Sequence, residues 1–370
     1  MKTPAEIIRR EITERGVLPF ARFMELALYA PDCGYYEAQK ENVGRHGDFY
    51  TSVSVGNLFG ELLAFQFAEW LEEVKTFNSQ LSTLSLIEAG THDGRLAADI
   101  LTWLQLNRPK LFAQIEYGII EPSARRQEWQ RETLKPFAPR VRWFSDFEDL
   151  KLKIKNSKLA GIIFSNELLD AMPVHRFGWD AKSKNWFEWG VAIDGDEFSW
   201  AKIQKPRLDL PSSIRDLPSS LLDVLPDNYT VENSPSTESW WREAANSLQT
   251  GKLVTMDYGL AADEVFSPFR TNGTLRAYFR HHLNDDILAN VGRQDLTVHV
   301  NFPAIQKVAE ESGLITEQFC AQAKFLTEIL ARAAKSNSFG EWDGSDTRQF
   351  QTLTHPEHLG RAFRVLVQSR

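Results

Sequence analysis

Only two of the 370 residues are cysteine, Cys33 and Cys320. Two thiols so far apart make neither a spaced metal motif nor a disulfide framework. No metal is therefore expected, and a reducing cytoplasm is the expected location. No apolar run approaches the roughly 20 residues that a membrane helix needs. The opening stretch MKTPAEIIRREITERG holds Glu6, Glu11 and Glu14 and lacks a long apolar core. Neither a secretory signal nor a transit peptide is expected from it. An excess of basic charge is also missing: 42 Lys and Arg face 50 Asp and Glu, a net charge of −8. That argues against a general nucleic-acid binder. No internal repeat and no long disordered tail is visible.

What is present is ordinary for a soluble globular chain, 42% hydrophobic and 25% charged. The length suffices for one large core or two smaller ones. Trp186, Trp189, Trp200, Trp240 and Trp241 lie close together in sequence and read as packing. Residues 4–30 predict two helices, with Ile7, Ile8 and Ile12 on one apolar face and Phe20, Phe23, Met24 and Leu28 on the other. Pro31 ends the second. Residues 58–71 predict an apolar helix. Short apolar runs predict strands at 84–88, 115–120, 141–144, 161–164 and 252–256, and a last one at 363–369. Helical patterns follow the first two, at 94–106 and 123–134. This is the pattern of a mostly parallel α/β sheet with helices on both faces. Irregular insertions fall at about 177–235, which opens on a hairpin around an Asp-Gly turn, and at 274–302. Residues 303–313 and 316–335 read as helices.

The most telling stretch is LSLIEAGTHDGRLAADIL at 84–101. It reads as a strand, a glycine turn and a helix N-terminus, which lets backbone N–H groups approach a nucleotide-like ligand. A dehydrogenase prefers Gly-x-Gly-x-x-Gly. This turn is nearer the acid-x-Gly-x-Gly-x-Gly of S-adenosylmethionine (SAM) sites, with His92 where the middle glycine belongs. Ligands of such folds sit at the carboxyl ends of the strands. Acids fall there at Glu88, Glu121, Asp146, Glu167 and Asp257. Glu88 suits a cofactor amine or water, Glu121 two ribose hydroxyls and Asp146 an adenine amino group. Helix capping is the competing reading of these acids.

Several stretches together make the chain resemble the MidA-like family of SAM-dependent methyltransferases. They are GYY at 34–36, GDFYTS at 47–52, LFGELLA at 58–64, EAGTHDGRLAADIL at 88–101, SNELLDAMPVHRF at 165–177, MDYG at 256–259, GTLRAYFRHH at 273–282 and DLTVHVNF at 295–302. The resemblance implies a class I, Rossmann-like methyltransferase fold with SAM as cofactor. It divides the chain into an N-terminal helical cap with a cofactor-covering loop, 1–80, and a methyltransferase domain, 81–370, that carries both insertions. It implies that Gly90 and Gly94 form the cofactor turn and that Glu121 holds the ribose. Asn166, Glu167 and Asp170 then lie beside the reactive methyl group, and Gly47, Asp48 and Thr51 in the covering loop. Mitochondrial members methylate an arginine on a complex I subunit, so a protein, and by analogy a respiratory-complex subunit, is the implied substrate. A second copy of the chain is a further expected partner.

A guanidinium is a poor nucleophile that a carboxylate can orient and neutralise. Glu167 and Asp170 are the candidates, with Asn166 beside them. Asp257, Tyr258, Arg276, Tyr278, His281 and His282 are candidate substrate-groove residues. Three alternatives stay open at this stage. They are methylation of another amine or small molecule, a non-catalytic assembly factor with a cofactor site degraded by His92, and an NAD-dependent oxidoreductase. The glycine spacing counts against the last.

Overall fold

The computed structural model describes residues 2–38, 51–78, 80–81, 83–154, 158–204, 209–267, 269–280, 282–336 and 338–370. Its centre is a sheet of seven main strands: β1 Leu84–Ala89, β2 Ile115–Ile120, β3 Val141–Phe144, β4 Leu159–Asn166, β5 Leu248–Leu260, β6 Ile315–Ala321 and β7 Phe363–Ser369. Their spatial order is 3-2-1-4-5-7-6. Strands 1 to 5 run parallel, and β7 runs antiparallel between β5 and β6. The two-residue strand Val300–Asn301 adds to the end of β5. The direction of winding reverses between β1 and β4, which opens a crevice at their carboxyl ends.

Alternation along the strands feeds two cores. Leu84, Leu86, Ile162 and Phe164 pack on one face under helices α3 Leu58–Phe77, α4 Arg95–Asn107 and α9 Gln322–Lys335. Helix α5 Ala124–Thr133 follows β2, and Ile87, Ala89 and Ile163 pack on the other face under α6 Phe147–Lys153, α7 Pro235–Ser247 and α8 Phe302–Glu311. The doubly covered α/β sheet expected from the Ile- and Val-rich runs is thus present. Helix α3 belongs to the first of these cores, so the boundary expected at residue 80 does not separate two hydrophobic interiors.

Helices α1 Pro4–Arg15 and α2 Phe20–Tyr29 are the two expected over residues 4–30. They pack on the insertions, with Ile8, Phe20, Phe23 and Met24 against Val191, Leu275, Ala277 and Leu296. The first insertion is a five-stranded antiparallel sheet that includes Leu18–Pro19 and the expected hairpin, Asn185–Asp194 with Glu197–Ile203. The second holds a three-stranded sheet, Arg276–Phe279, His282–Asn284 and Asp295–Thr297.

One helix expectation needs correction. Residues 316–335 split into β6 and α9, because five of the first six pair with β7 at the sheet edge, Phe319 opposite Leu366 and Cys320 opposite Val365. A further helix, α10 Gly344–Thr354, opens on a capping box of Asp343 and Asp346. No described helix is long and apolar enough to cross a membrane.

Candidate active site

A cavity of about 1370 Å³ lies over the carboxyl ends of β1 to β5. It is roomy enough for a nucleoside cofactor together with part of a substrate. Glu88, Gly90, His92, Glu121, Asp146, Thr51, Asn166, Glu167, Asp170, Tyr258, Arg276 and Tyr278 all line it. Residues separated by more than two hundred positions therefore meet at one sheet edge. Gly94 and Asp257 do not line it, and His282 is exposed outside it. Gly47, Asp48 and His281 fall outside the described residues.

The turn after β1 requires its glycines. Gly90 has φ +77°, and a Cβ there would press on the Leu168 side chain at 3.0 Å. Gly94, at φ +90°, is the N-cap of α4. Its place is behind the turn, so the expectation that it touches the cofactor is corrected to a backbone role. His92 takes the left-handed conformation that a glycine would, at φ +49°. Its ring lies near Asp93, with Nδ1 3.8 Å from Oδ1, and its carbonyl accepts from Gln130 Nε2 at 3.0 Å. The missing glycine thus leaves the path of the turn intact. A non-glycine residue in this region costs about 1–2 kcal/mol. His92→Gly is expected to bind SAM about as well as the parent. Calorimetric binding more than about tenfold tighter would show that the ring obstructs the cofactor.

The acids at the strand ends differ in what holds them. Glu88 is buried and accepts a short hydrogen bond from the Tyr117 hydroxyl. Burial pushes its pKa up to about 8 against the pull of that hydroxyl. Glu121 is 1% exposed and accepts from the Ser123 N–H at 2.9 Å and Gln130 Nε2 at 3.1 Å, with Arg126 Nη2 at 3.2 Å. Burial raises its pKa, and Arg126 opposes the rise. Asp146 both lines the cavity and caps α6, accepting from the Asp149 N–H at 2.7 Å. The capping reading of this residue therefore holds alongside any cofactor role. Phe147 and Trp240 extend the same wall, their rings 5.4 Å apart.

The end of β4 also carries a left-handed residue. Glu167 has φ +51°, a conformation that costs a non-glycine residue about 1–3 kcal/mol and clusters at functional sites. The kink turns its Oε1 to accept from the Ser52 N–H at 3.0 Å and from Asn166 Nδ2 at 3.1 Å. Burial pushes its pKa up to about 8, and the charges of Asp257 and Asp295 add to the rise. Asp170 is buried, and its pKa rises for the same reason, with Asp257, Asp295 and Glu167 adding to it. Asp257, expected in the substrate groove, is instead a brace. Its carboxylate accepts from the N–H groups of Leu168 (3.2 Å), Leu169 (2.8 Å) and Tyr258 (2.8 Å) and fixes the loop that carries Glu167 and Asp170.

These shifts dictate how stability depends on pH. The folded-state pKa values of Glu88, Glu167 and Asp257 lie at about 8, 8 and 7, above their ordinary values of 4.5, 4.5 and 3.8. Between these limits the folded chain holds protons that the unfolded chain has released. Stability is therefore full below about pH 4, as far as these groups go, and declines as pH rises to about 8. Calorimetry should find a lower Tm at pH 8 than at pH 6, with a smaller drop in Glu88→Gln. A Tm that rises over that interval would refute the assignment.

Several lining residues escape sequence reasoning. Tyr29, Tyr36, Asp295 and His299 converge on the β4 end from the cap and the second insertion. Burial holds the His299 pKa down at about 4, aided by Arg270 and Arg276, so the ring is neutral near pH 7. Asp295 lies in the DLTVHVNF stretch, but no local pattern announces its direction. Glu37 meets Ser123 Oγ at 2.8 Å and lies 3.7 Å from Arg126, which ties the cap to the loop beside Glu121.

The residues fit SAM. The close approach at Gly90 gives the turn, Glu121 stands at the end of β2 where a ribose would be held, and Glu88 and His92 flank them. Among the described residues no group of His, Cys, Asp and Glu is placed to hold a metal ion.

Comparison with known proteins agrees. A family of S-adenosyl-L-methionine-dependent methyltransferases matches residues 62–320. The mitochondrial protein arginine methyltransferase NDUFAF7 homolog of Drosophila melanogaster is 27% identical, over 98% of this chain and 84% of its own length. The mouse mitochondrial protein arginine methyltransferase NDUFAF7 is 26% identical, over 81% of this chain and 68% of its own length. A crystal structure from Burkholderia thailandensis, bound to S-adenosyl-homocysteine, is 30% identical and superposes with a TM-score of 0.81, covering 99% of this chain and 92% of that one. By the extent of the family match and of this structural likeness, the chain belongs to the SAM-dependent methyltransferases of the MidA-like family.

Proposed function

We propose that the chain methylates an arginine nitrogen of a protein substrate. One observation carries this reading: the end of β4 offers acceptors. Asn166 is 7% exposed and lines the cavity. Its Nδ2 is engaged by Glu167, and its Oδ1 has no partner among the described residues. Glu167 and Asp170 lie beside it. The nearby hydroxyls of Tyr29 and Tyr36 spend their protons on the Ala171 carbonyl (3.0 Å) and Asp295 (2.8 Å). A guanidinium, with five N–H donors, no acceptor and a positive charge, is the complement of such a surface.

The bound cofactor supplies an electrophilic methyl group. The chain's own part is to place and discharge the nucleophile. Glu167 pairs with the guanidinium and orients one nitrogen. That nitrogen gains a methyl and sheds a proton, and the Glu167 carboxylate, kept ionised by its pairing with the cation, takes it. The NDUFAF7 relatives carry the name of protein arginine methyltransferases, which supports the choice of acceptor. The same reading takes a cytoplasmic location, suggested by the scarcity of cysteine, and a respiratory-complex subunit as a candidate substrate.

The test is to incubate the enzyme with SAM tritiated at its methyl group and a lysate from cells lacking this chain. The protein fraction is then hydrolysed and its amino acids are separated. Label in methylarginine is expected. Label confined to another amino acid, or to the small-molecule fraction, would refute the arginine reading.

A further inference from the structure

We infer that Asp295, held by Tyr36, is the specificity-determining carboxylate that closes on the substrate cation opposite Glu167. The inference rests on the arginine reading and goes beyond it. It adds a residue from the second insertion and a second point of charge recognition.

The geometry begins with the strand Asp295–Thr297, which pairs with Arg276–Phe279 so that Asp295 stands opposite Tyr278. Just past that strand, the Val298 N–H donates to the Asp170 carbonyl at 2.9 Å. The insertion is thereby fastened to the loop that follows β4. Asp295 is fully buried and stands in the wall of the cavity. Its Oδ1 accepts from the Tyr36 hydroxyl at 2.8 Å. The Tyr36 ring stacks on Tyr29 at 5.5 Å, and the Tyr29 hydroxyl is anchored on Ala171 at 3.0 Å. Asp295 is thus positioned by the cap, and Glu167 by β4 and the Ser52 N–H. Two acids carried by different parts of the fold meet at one cavity.

Acids brought together in a buried space repel one another, and each raises the cost of ionising the next. The charge of Asp295 indeed adds to the upward shifts of Glu167 and Asp170. A bound cation reverses that effect. The orphan acceptor Asn166 Oδ1 gives independent evidence that the same space expects a hydrogen-bond donor. Tyr29, Tyr36, Tyr258 and Tyr278 line the cavity with rings, which suit the flat faces of a guanidinium. A compact ammonium would use these faces less well.

The test uses two nucleoside probes, 5′-deoxyadenosine bearing a short alkylguanidine at the 5′ carbon and the isosteric alkylurea. Calorimetric Kd values are measured for the full chain and for Asp295→Asn, with S-adenosyl-homocysteine as a control for the cofactor half. The parent is expected to prefer the guanidine by about tenfold or more. Asp295→Asn, which keeps an acceptor for Tyr36, is expected to remove most of that preference and leave S-adenosyl-homocysteine binding unchanged. A parent without any preference would overturn the arginine reading, and this inference with it. A parent preference that survives intact in Asp295→Asn would overturn the role of Asp295 alone. If Asp295→Asn does not bind S-adenosyl-homocysteine, Tyr36→Phe takes its place. A smaller guanidine preference there supports the inference, and an unchanged one rejects it.

Discussion

Replacing Glu167 by Gln is expected to lower kcat/KM by about 10²- to 10³-fold, the usual effect of removing one electrostatic contact to a transition state. The substitution is conservative in shape. A glutamine Oε1 can still accept from the Ser52 N–H and Asn166 Nδ2, the two bonds that hold the parent side chain. What is lost is the charge, and with it the ability to pair with a guanidinium and take its proton. SAM affinity should be unchanged. Stability above pH 8 should rise slightly, because a buried carboxylate no longer has to ionise. In the parent, kcat/KM should climb with pH toward about 8, since the free enzyme holds Glu167 protonated below that value. Glu167→Gln should flatten that limb. Unchanged turnover in the variant would remove Glu167 from the chemistry.

The second large effect is expected at Glu121. Glu121→Ala should weaken SAM binding by about tenfold to a hundredfold, since hydrogen bonds to a charged group are worth about 1.5–3 kcal/mol. The alanine also strands Arg126, whose nearest described acid is then Glu37. Loss of binding could therefore reflect local disorder. Glu121→Gln separates the causes, because an amide oxygen can still accept from the Ser123 N–H. Both variants should bind SAM more weakly and keep a cooperative unfolding transition. Parent-like affinity in Glu121→Ala would take the residue out of the cofactor site.

The sheet was legible because its strands are short, apolar and punctuated by acids at their ends. Runs such as 161–164 are too short for a helix of their own and rich in β-branched residues, which favours a buried strand. The acids at 88, 121, 146 and 167 could be placed on one cavity from strand direction alone, since parallel strands point their carboxyl ends the same way. Asp257 defeated that logic. It lies inside β5, just past the last residue paired with β4, and two loop N–H groups and that of Tyr258 claim its oxygens. The split of 316–335 was hidden because Phe319 and Cys320 suit a helix face as well as a strand, and only β7 opposite them decides. Asp295 and Tyr36 were illegible as a pair. Their meeting depends on how the cap packs on the second insertion, and no periodicity encodes that.

The position of β7 bears on how the chain is made. In chain order it follows every other strand of the sheet, yet it lies inside the sheet, between β5 and β6. A ribosome delivers residues in that order. For as long as residues 363–369 are unsynthesised, β5 presents the long, apolar edge of KLVTM to the surroundings, and β6 has no partner to dock on. Such an edge invites pairing with other nascent chains. The unpaired edge thus persists after the whole cofactor-binding half is already out. That interval is when a chaperone, or early cofactor binding, would have the greatest influence on yield.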